Sequence, residues 1–127
     1  MKFLSLHVDH IRFKPLKKAL KKIEDLTEKD KKGHESKEAL AILMSVEKVD
    51  TNVDEVVKEF VKHVKDIAGQ VKAEKIVLYP YAHLSSNLAS PEVATEVLEK
   101  ADKALRKNFK VVRAPFGYYK EFEVKKF

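Results

Sequence analysis

The chain has no cysteine and only three glycines among its 127 residues. Without cysteine there is no disulfide framework, no thiolate metal site and no cysteine nucleophile. The glycines are not spaced as a phosphate-binding loop, and neither a nucleophile elbow nor a zincin helix occurs. An ATP-driven reaction and a covalent serine mechanism are therefore unsupported. No apolar run approaches the roughly 18 residues that cross a bilayer. The opening Met1-Lys2-Phe3-Leu4-Ser5-Leu6 passes straight into His7 and Asp9, without the apolar stretch and cleavage site of a signal peptide. These absences point to a cytoplasmic address and no membrane partner. Lack of cysteine with a surplus of Lys and Glu is also what heat-adapted proteins show.

What is present fits one domain spanning 1–127. Hydrophobic residues make up 44% and charged residues 36%, enough for a real core beneath an ionised surface and too apolar for a disordered chain. The net charge of +6 permits phosphate neutralisation by a nucleic-acid binder, although Lys-rich solvated surfaces carry the same charge.

Leu4, Leu6 and Val8 alternate with Ser5 and His7, the period of a strand, and Ile11 and Phe13 extend it or form a short second one. Pro15 to Lys37 is dominated by Lys, Glu and Asp and reads as a mobile, charged connection with some helix in it. Ala39 to Val46 is a nearly continuous apolar run, as expected of a strand covered on both faces. Asn52 with Glu55 opens a helix by a capping box, and its apolar stripe runs from Val53 to Val71. Ile76 to Tyr79 is a strand stopped by Pro80. Ser90 caps a second helix with Pro91 at its first position, and Val93, Val97, Leu98, Ala101 and Leu105 form its inner stripe. Phe109 to Ala114 and Tyr118 to Val124 are the last strands. The fold class is therefore α/β: a single-domain mixed sheet with a central βαβαβ unit, parallel in the middle, with antiparallel edges supplied by the terminal strands.

Ligands of open α/β sheets bind beyond the carboxyl ends of the parallel strands. Three segments arrive there: Ser45 to Lys48, Pro80 to Ser86, and Ala114 to Lys120. They bring a histidine, hydroxyls, a lysine, aromatic surfaces and turn backbone to one place, the parts of a site that grips a small polar group attached to a base. Each has a plainer role beside this one. His83 suits a surface loop, Ser85 and Ser86 can satisfy loop backbone, Phe116 and Tyr119 suit a core, Gly117 suits a turn, and most lysines are solvated. His7 and Asp9 share one side of the first strand with His10 adjacent, but no third ligand is placed by sequence, so no metal is expected.

The stretches Ser45-Val46-Glu47-Lys48-Val49-Asp50, Gln70-Val71-Lys72-Ala73-Glu74, Tyr79-Pro80-Tyr81-Ala82-His83-Leu84-Ser85-Ser86 and Ala114-Pro115-Phe116-Gly117-Tyr118-Tyr119-Lys120 resemble the N-terminal editing domain of archaeal-type threonyl-tRNA synthetase. The similarity covers essentially the whole chain. It departs at Val8 and His10, where the family tends to have Ser and Tyr. Family members also continue into a Gly-His-Pro and Glu-containing segment and then further domains, so the resemblance makes this chain one part of a longer protein.

The resemblance implies a fold related to D-aminoacyl-tRNA deacylase and removal of L-serine from threonine tRNA. It further implies no cofactor in this domain, a tRNA 3′ end and the remaining synthetase domains as partners, and a homodimer. Residue by residue, it gives Val46 a backbone that reads the terminal adenine, with Pro80 and Phe116 as apolar surroundings. Ala82 (by backbone) and His83 stand near the seryl group, and Gly117 lies in the adjoining turn. Tyr119 and Lys120 flank the ester and attacking water. A lysine is charged near neutral pH unless its pKa of about 10.4 is strongly depressed, so Lys120 is expected to position and polarise, with the ribose 2′-hydroxyl helping to place the water. Two rivals share parts of this reading: a free-standing deacylase of D-aminoacyl-tRNA, and a non-catalytic module that docks tRNA or a nucleotide.

Overall fold

A computed structural model describes residues 1–127 apart from Lys22 and Glu24. The elements are β1 (Lys2–Lys18), α1 (Glu28–Lys31), β2 (His34–Ser45), α2 (Val53–Val71), β3 (Lys75–Pro80), a 3₁₀ turn (Ala82–Leu84), α3 (Pro91–Leu105), β4 (Lys110–Arg113) and β5 (Tyr118–Lys126). The sheet order is β4-β3-β2-β1-β5. Strands β2, β3 and β4 are parallel, while β1 lies antiparallel between β2 and β5. The mixed α/β class and central βαβαβ unit are thus as the periodicity indicates.

The two long helices, α2 and α3, start at side-chain caps. Asn52 Oδ1 accepts from the Glu55 N–H at 3.2 Å, and Ser90 Oγ accepts from the Val93 N–H at 3.3 Å with Pro91 in the first turn. The two crossovers between parallel neighbours put α2 and α3 on one face of the sheet. There Phe60, Val64, Val97 and Leu105 pack on Leu40, Ile42, Ile76 and Leu78. The opposite face has its own buried cluster, centred on Val8, Ile11, Phe13, Ala41, Val77 and Tyr79.

Among the described residues neither α2 nor α3 packs on that second cluster, which is covered by the curl of the sheet with Tyr81 and Leu84 of the loop after β3. In a flat sheet β3 and β5 would lie about 14 Å apart, three spacings of about 4.8 Å. Instead the rings of Tyr79 and Phe122 approach to 5.2 Å, and Phe13 meets Tyr79 edge-on at 5.8 Å. Irregular pairing between β1 and β5 at Val8/His10 and Pro15/Lys18 supplies the bends that curvature needs.

Two sequence expectations change, and a third, left open between one strand and two, resolves to one. The first strand is one 17-residue element that passes through Pro15, which sits beside a register shift, where a missing N–H is tolerated. The supposed connection from Pro15 to Lys37 is accordingly shorter: β1 runs to Lys18, β2 resumes at His34, and one helical turn capped by Thr27 lies between. Alternation was present in Ile11, Phe13 and Pro15, all buried, but the exposed charges between and after them obscured it. Lys22 and Glu24 fall within that expected connection and lie outside the described residues. Finally, β1 is an interior strand, and only β5 is the antiparallel edge.

Candidate active site

Beyond the carboxyl ends of β2 and β3 lies a cavity of about 520 Å³. Its wall from β2 ends at Val46, which is buried and whose carbonyl accepts from the Ala89 N–H at 2.9 Å. That carbonyl keeps a second lone pair for a ligand. From β3 and its loop come Pro80, Ala82 and His83. Tyr81 N–H donates to the Met44 carbonyl at 2.8 Å, which fixes where this loop leaves the sheet. His83 is exposed on the 3₁₀ turn with its ring edge-on to Tyr81 at 5.2 Å. The turn after β4 contributes Phe116 and Gly117, and β5 contributes Tyr119 and Lys120. All eight residues singled out in the sequence therefore border one space.

Lys120 is the electrostatic centre of that space. Its ammonium donates to the Pro115 carbonyl at 2.8 Å and the Tyr118 carbonyl at 3.1 Å, and lies 5.1 Å from the centre of the Tyr79 ring. Removal from water lowers its pKa from 10.5 to about 8, because a buried cation loses hydration. Tyr79 is pushed the other way by burial, to about 12, so its phenol stays neutral. At pH 7 Lys120 is therefore mostly charged, with roughly a tenth neutral. Such a group can orient a water or polarise a carbonyl, and it carries a small reserve of base.

Neighbouring side chains on a strand point to opposite faces. Tyr119 consequently stands at the rim, 53% exposed, with the Lys17 ammonium 5.6 Å above its ring. Gly117 has a φ of +81°, and a Cβ there would lie 2.6 Å from Ile23 Cγ1, so the turn can bear no side chain while that segment crosses it. The crossing is held by the Ala19 and Leu20 N–H groups, which donate to the Gly117 carbonyl at 2.7 and 3.2 Å.

Ala19 and Leu20 also line the cavity, and sequence reasoning missed them. They lie within a lysine-rich run, and the available signal was a small apolar pair interrupting it. Glu47 and Lys48, at the same strand end as Val46, do not border the cavity. Ser85 accepts from the Asn87 N–H at 3.0 Å, the loop-satisfying role, and also donates to Glu47. His7 packs against Phe127, and Asp9 pairs with Lys125. Among the described residues no three His, Cys, Asp or Glu side chains converge on a point.

The fold and cavity together define a small α/β domain whose strand-end pocket suits a polar group carried on an apolar, base-like body. The chain belongs to the family described as the archaea-specific editing domain of threonyl-tRNA synthetase, which it matches over residues 1–126. Similar proteins include threonine–tRNA ligases of Thermococcus onnurineus, 51% identical over 98% of this chain and 20% of the relative, and of Pyrococcus horikoshii, 47% identical over the same shares. That of Methanococcoides burtonii is 44% identical over 98% of this chain and 19% of its own length. The chain thus spans about a fifth of the length of these relatives. No helix among the described residues is long and apolar enough to cross a membrane.

Proposed function

We propose that this editing domain hydrolyses L-serine from mischarged threonine tRNA in the cavity between β2, β3 and β5. The reading is carried by one observation: Val46, Pro80, Ala82, His83, Phe116, Gly117, Tyr119 and Lys120 border a single space in a chain of the editing family. Threonine exceeds serine by one methyl, and one methylene gives a binding site only about 1–3 kcal/mol of discrimination. A synthetic site that accepts threonine therefore admits serine too often, and a second, smaller site removes the error.

In this reading the terminal adenine lies against Val46, Pro80 and Phe116, and the seryl group lies by Ala82 and His83. Water adds to the ester carbonyl, the bond to the ribose 3′ oxygen breaks, and that oxygen takes a proton as serine leaves. Lys120 holds charge beside the carbonyl, and the neighbouring 2′-hydroxyl places the water. No cofactor takes part. The partners are the tRNA 3′ end, the remaining synthetase domains and a second copy of the chain, in the cytoplasm.

Single-turnover deacylation of seryl- and threonyl-tRNA tests this directly. Serine should be released well above the uncatalysed rate and threonine largely retained. Equal hydrolysis of both would leave a general esterase, and hydrolysis of neither would leave a binding module.

A further inference from the structure

The loop that carries Ala82 and His83 is tied to β2 at its two ends by backbone. Tyr81 N–H donates to the Met44 carbonyl at 2.8 Å, and Lys48 N–H and Ala89 N–H pair with Asn87 and Val46 carbonyls at 2.9 Å each. Between these anchors the 3₁₀ turn closes on itself through two long bonds of 3.3 Å. What reaches across from there to the β2 side is a side chain: Ser85 Oγ donates to Glu47 Oε2 at 2.6 Å. The same Ser85 oxygen accepts from Asn87 N–H, so its proton is directed at the carboxylate.

Glu47 is itself held. Its N–H donates to Asp50 Oδ2 at 2.8 Å, and its other carboxylate oxygen lies 3.4 Å from the Met1 ammonium, which also binds Asp50 at 2.6 Å. The Glu47 and Asp50 side chains are only 14% and 10% exposed. The Ser85 bond, followed by the Met1 ammonium, keeps the Glu47 carboxyl below the usual carboxylate range, so it is ionised and accepting at neutral pH. Charge-assisted bonds of this length are stronger than neutral ones.

We propose that Glu47 and Ser85 are positioning residues that set the width of the amino-acid end of the cavity, and hence its preference for serine over threonine. This rests on the proposed editing function. Neither side chain touches the substrate. The pair ties the 3₁₀ turn that carries Ala82 and His83, and that Ser85 follows, to the segment just after Val46, and so sets how far these two residues, which flank the seryl group, stand from the opposite wall of the cavity. A site that rejects one methyl fails when its walls part by a fraction of that methyl's width, since productive geometry is sensitive to displacements of about 1 Å.

The test compares the 127-residue chain with Ser85→Ala, Ser85→Thr and Glu47→Ala. In single-turnover deacylation, Ser85→Ala and Glu47→Ala should lower the ratio of serine to threonine release about tenfold, mostly by admitting threonine. Ser85→Thr keeps the hydroxyl and should restore most of the ratio. In amide hydrogen exchange, Ala82–Ser86 should exchange faster in the two alanine variants and not in Ser85→Thr, with α2 and α3 protected as in the parent. An unchanged ratio in Ser85→Ala, or a Thr variant as impaired as Ala, overturns the proposal. So does unaltered exchange at 82–86, which is read without any deacylation. A parent chain that releases no serine defeats the editing function instead, and the exchange experiment still decides whether the pair holds the loop.

Discussion

Lys120 is the residue whose chemistry the fold changes most. Its pKa falls from 10.5 to about 8 through burial, which penalises the charged form of the folded state. Between about pH 8 and 10.5 the unfolded chain keeps this proton and the folded chain has released it, so stability rises with pH across that window. Denaturant unfolding should show the parent gaining on Lys120→Met as pH rises from 8 to 10.5. The same shift separates two roles in the reaction. If the cation polarises the ester, the rate advantage of the parent over Lys120→Met shrinks as pH passes about 8; if the free amine is the base, the advantage grows. We expect it to shrink. A true general base contributes about 10²–10⁴-fold, and with the 2′-hydroxyl sharing the work Lys120→Met and His83→Ala should each slow serine release by less than that. A tRNA ending in 2′-deoxyadenosine, charged on the 3′ oxygen, should lose more than either variant; normal cleavage of it, beside a dead side-chain variant, returns the chemistry to the protein. The lysine was legible as a strand-end cation, but its lowered pKa was not, because that depends on burial against Tyr79, a residue 41 positions away (120 − 79).

At the scale of elements, the helices were the most legible part of the chain, since caps and stripes are local features. Asn52, Ser90 and Pro91 mark their starts in sequence and in structure alike. Removing either cap by mutation to alanine should lower stability by about 1 kcal/mol, read as a shift of the denaturation midpoint. The two variants should differ in activity. Ser90 lies between Ala89 and Pro91, which border the cavity, whereas Asn52 opens the other helix and borders none of it. Ser90→Ala should therefore slow serine release beyond its loss of stability, and Asn52→Ala should not; equal rates would detach the start of α3 from the site. The strands near the termini were less legible. The apolar pair Ala19 and Leu20 stands out in the charged run, but its partner Gly117 is not legible there, because that contact depends on pairing between strands from opposite ends of the chain.

For the whole molecule, the +6 charge bears on how a polyanion is held. Each phosphate neutralised releases counterions, so affinity for whole tRNA should fall steeply between low and moderate salt. A seryl-adenosine analogue, lacking that backbone, should bind with little salt dependence; a flat response with whole tRNA would make the lysines a solvated surface and no more. The curl of the sheet has a consequence in time as well as in space. Lys120 reaches Tyr79 only because β5 pairs with β1, from Pro15 opposite Lys120 to Val8 opposite Lys126, partners 105 to 118 residues apart (120 − 15 and 126 − 8). Contacts of such separation carry the largest loop-closure cost, so they are expected to form after the local helices. During synthesis the βαβαβ unit can therefore collapse while the pocket still lacks its lysine, and in the proposed reaction the contribution of Lys120 arrives only with β5. A nascent chain halted before Tyr118 would hold its helices but lack Tyr119 and Lys120, so the proposed hydrolysis would run below its full rate until β5 has emerged and zipped onto β1.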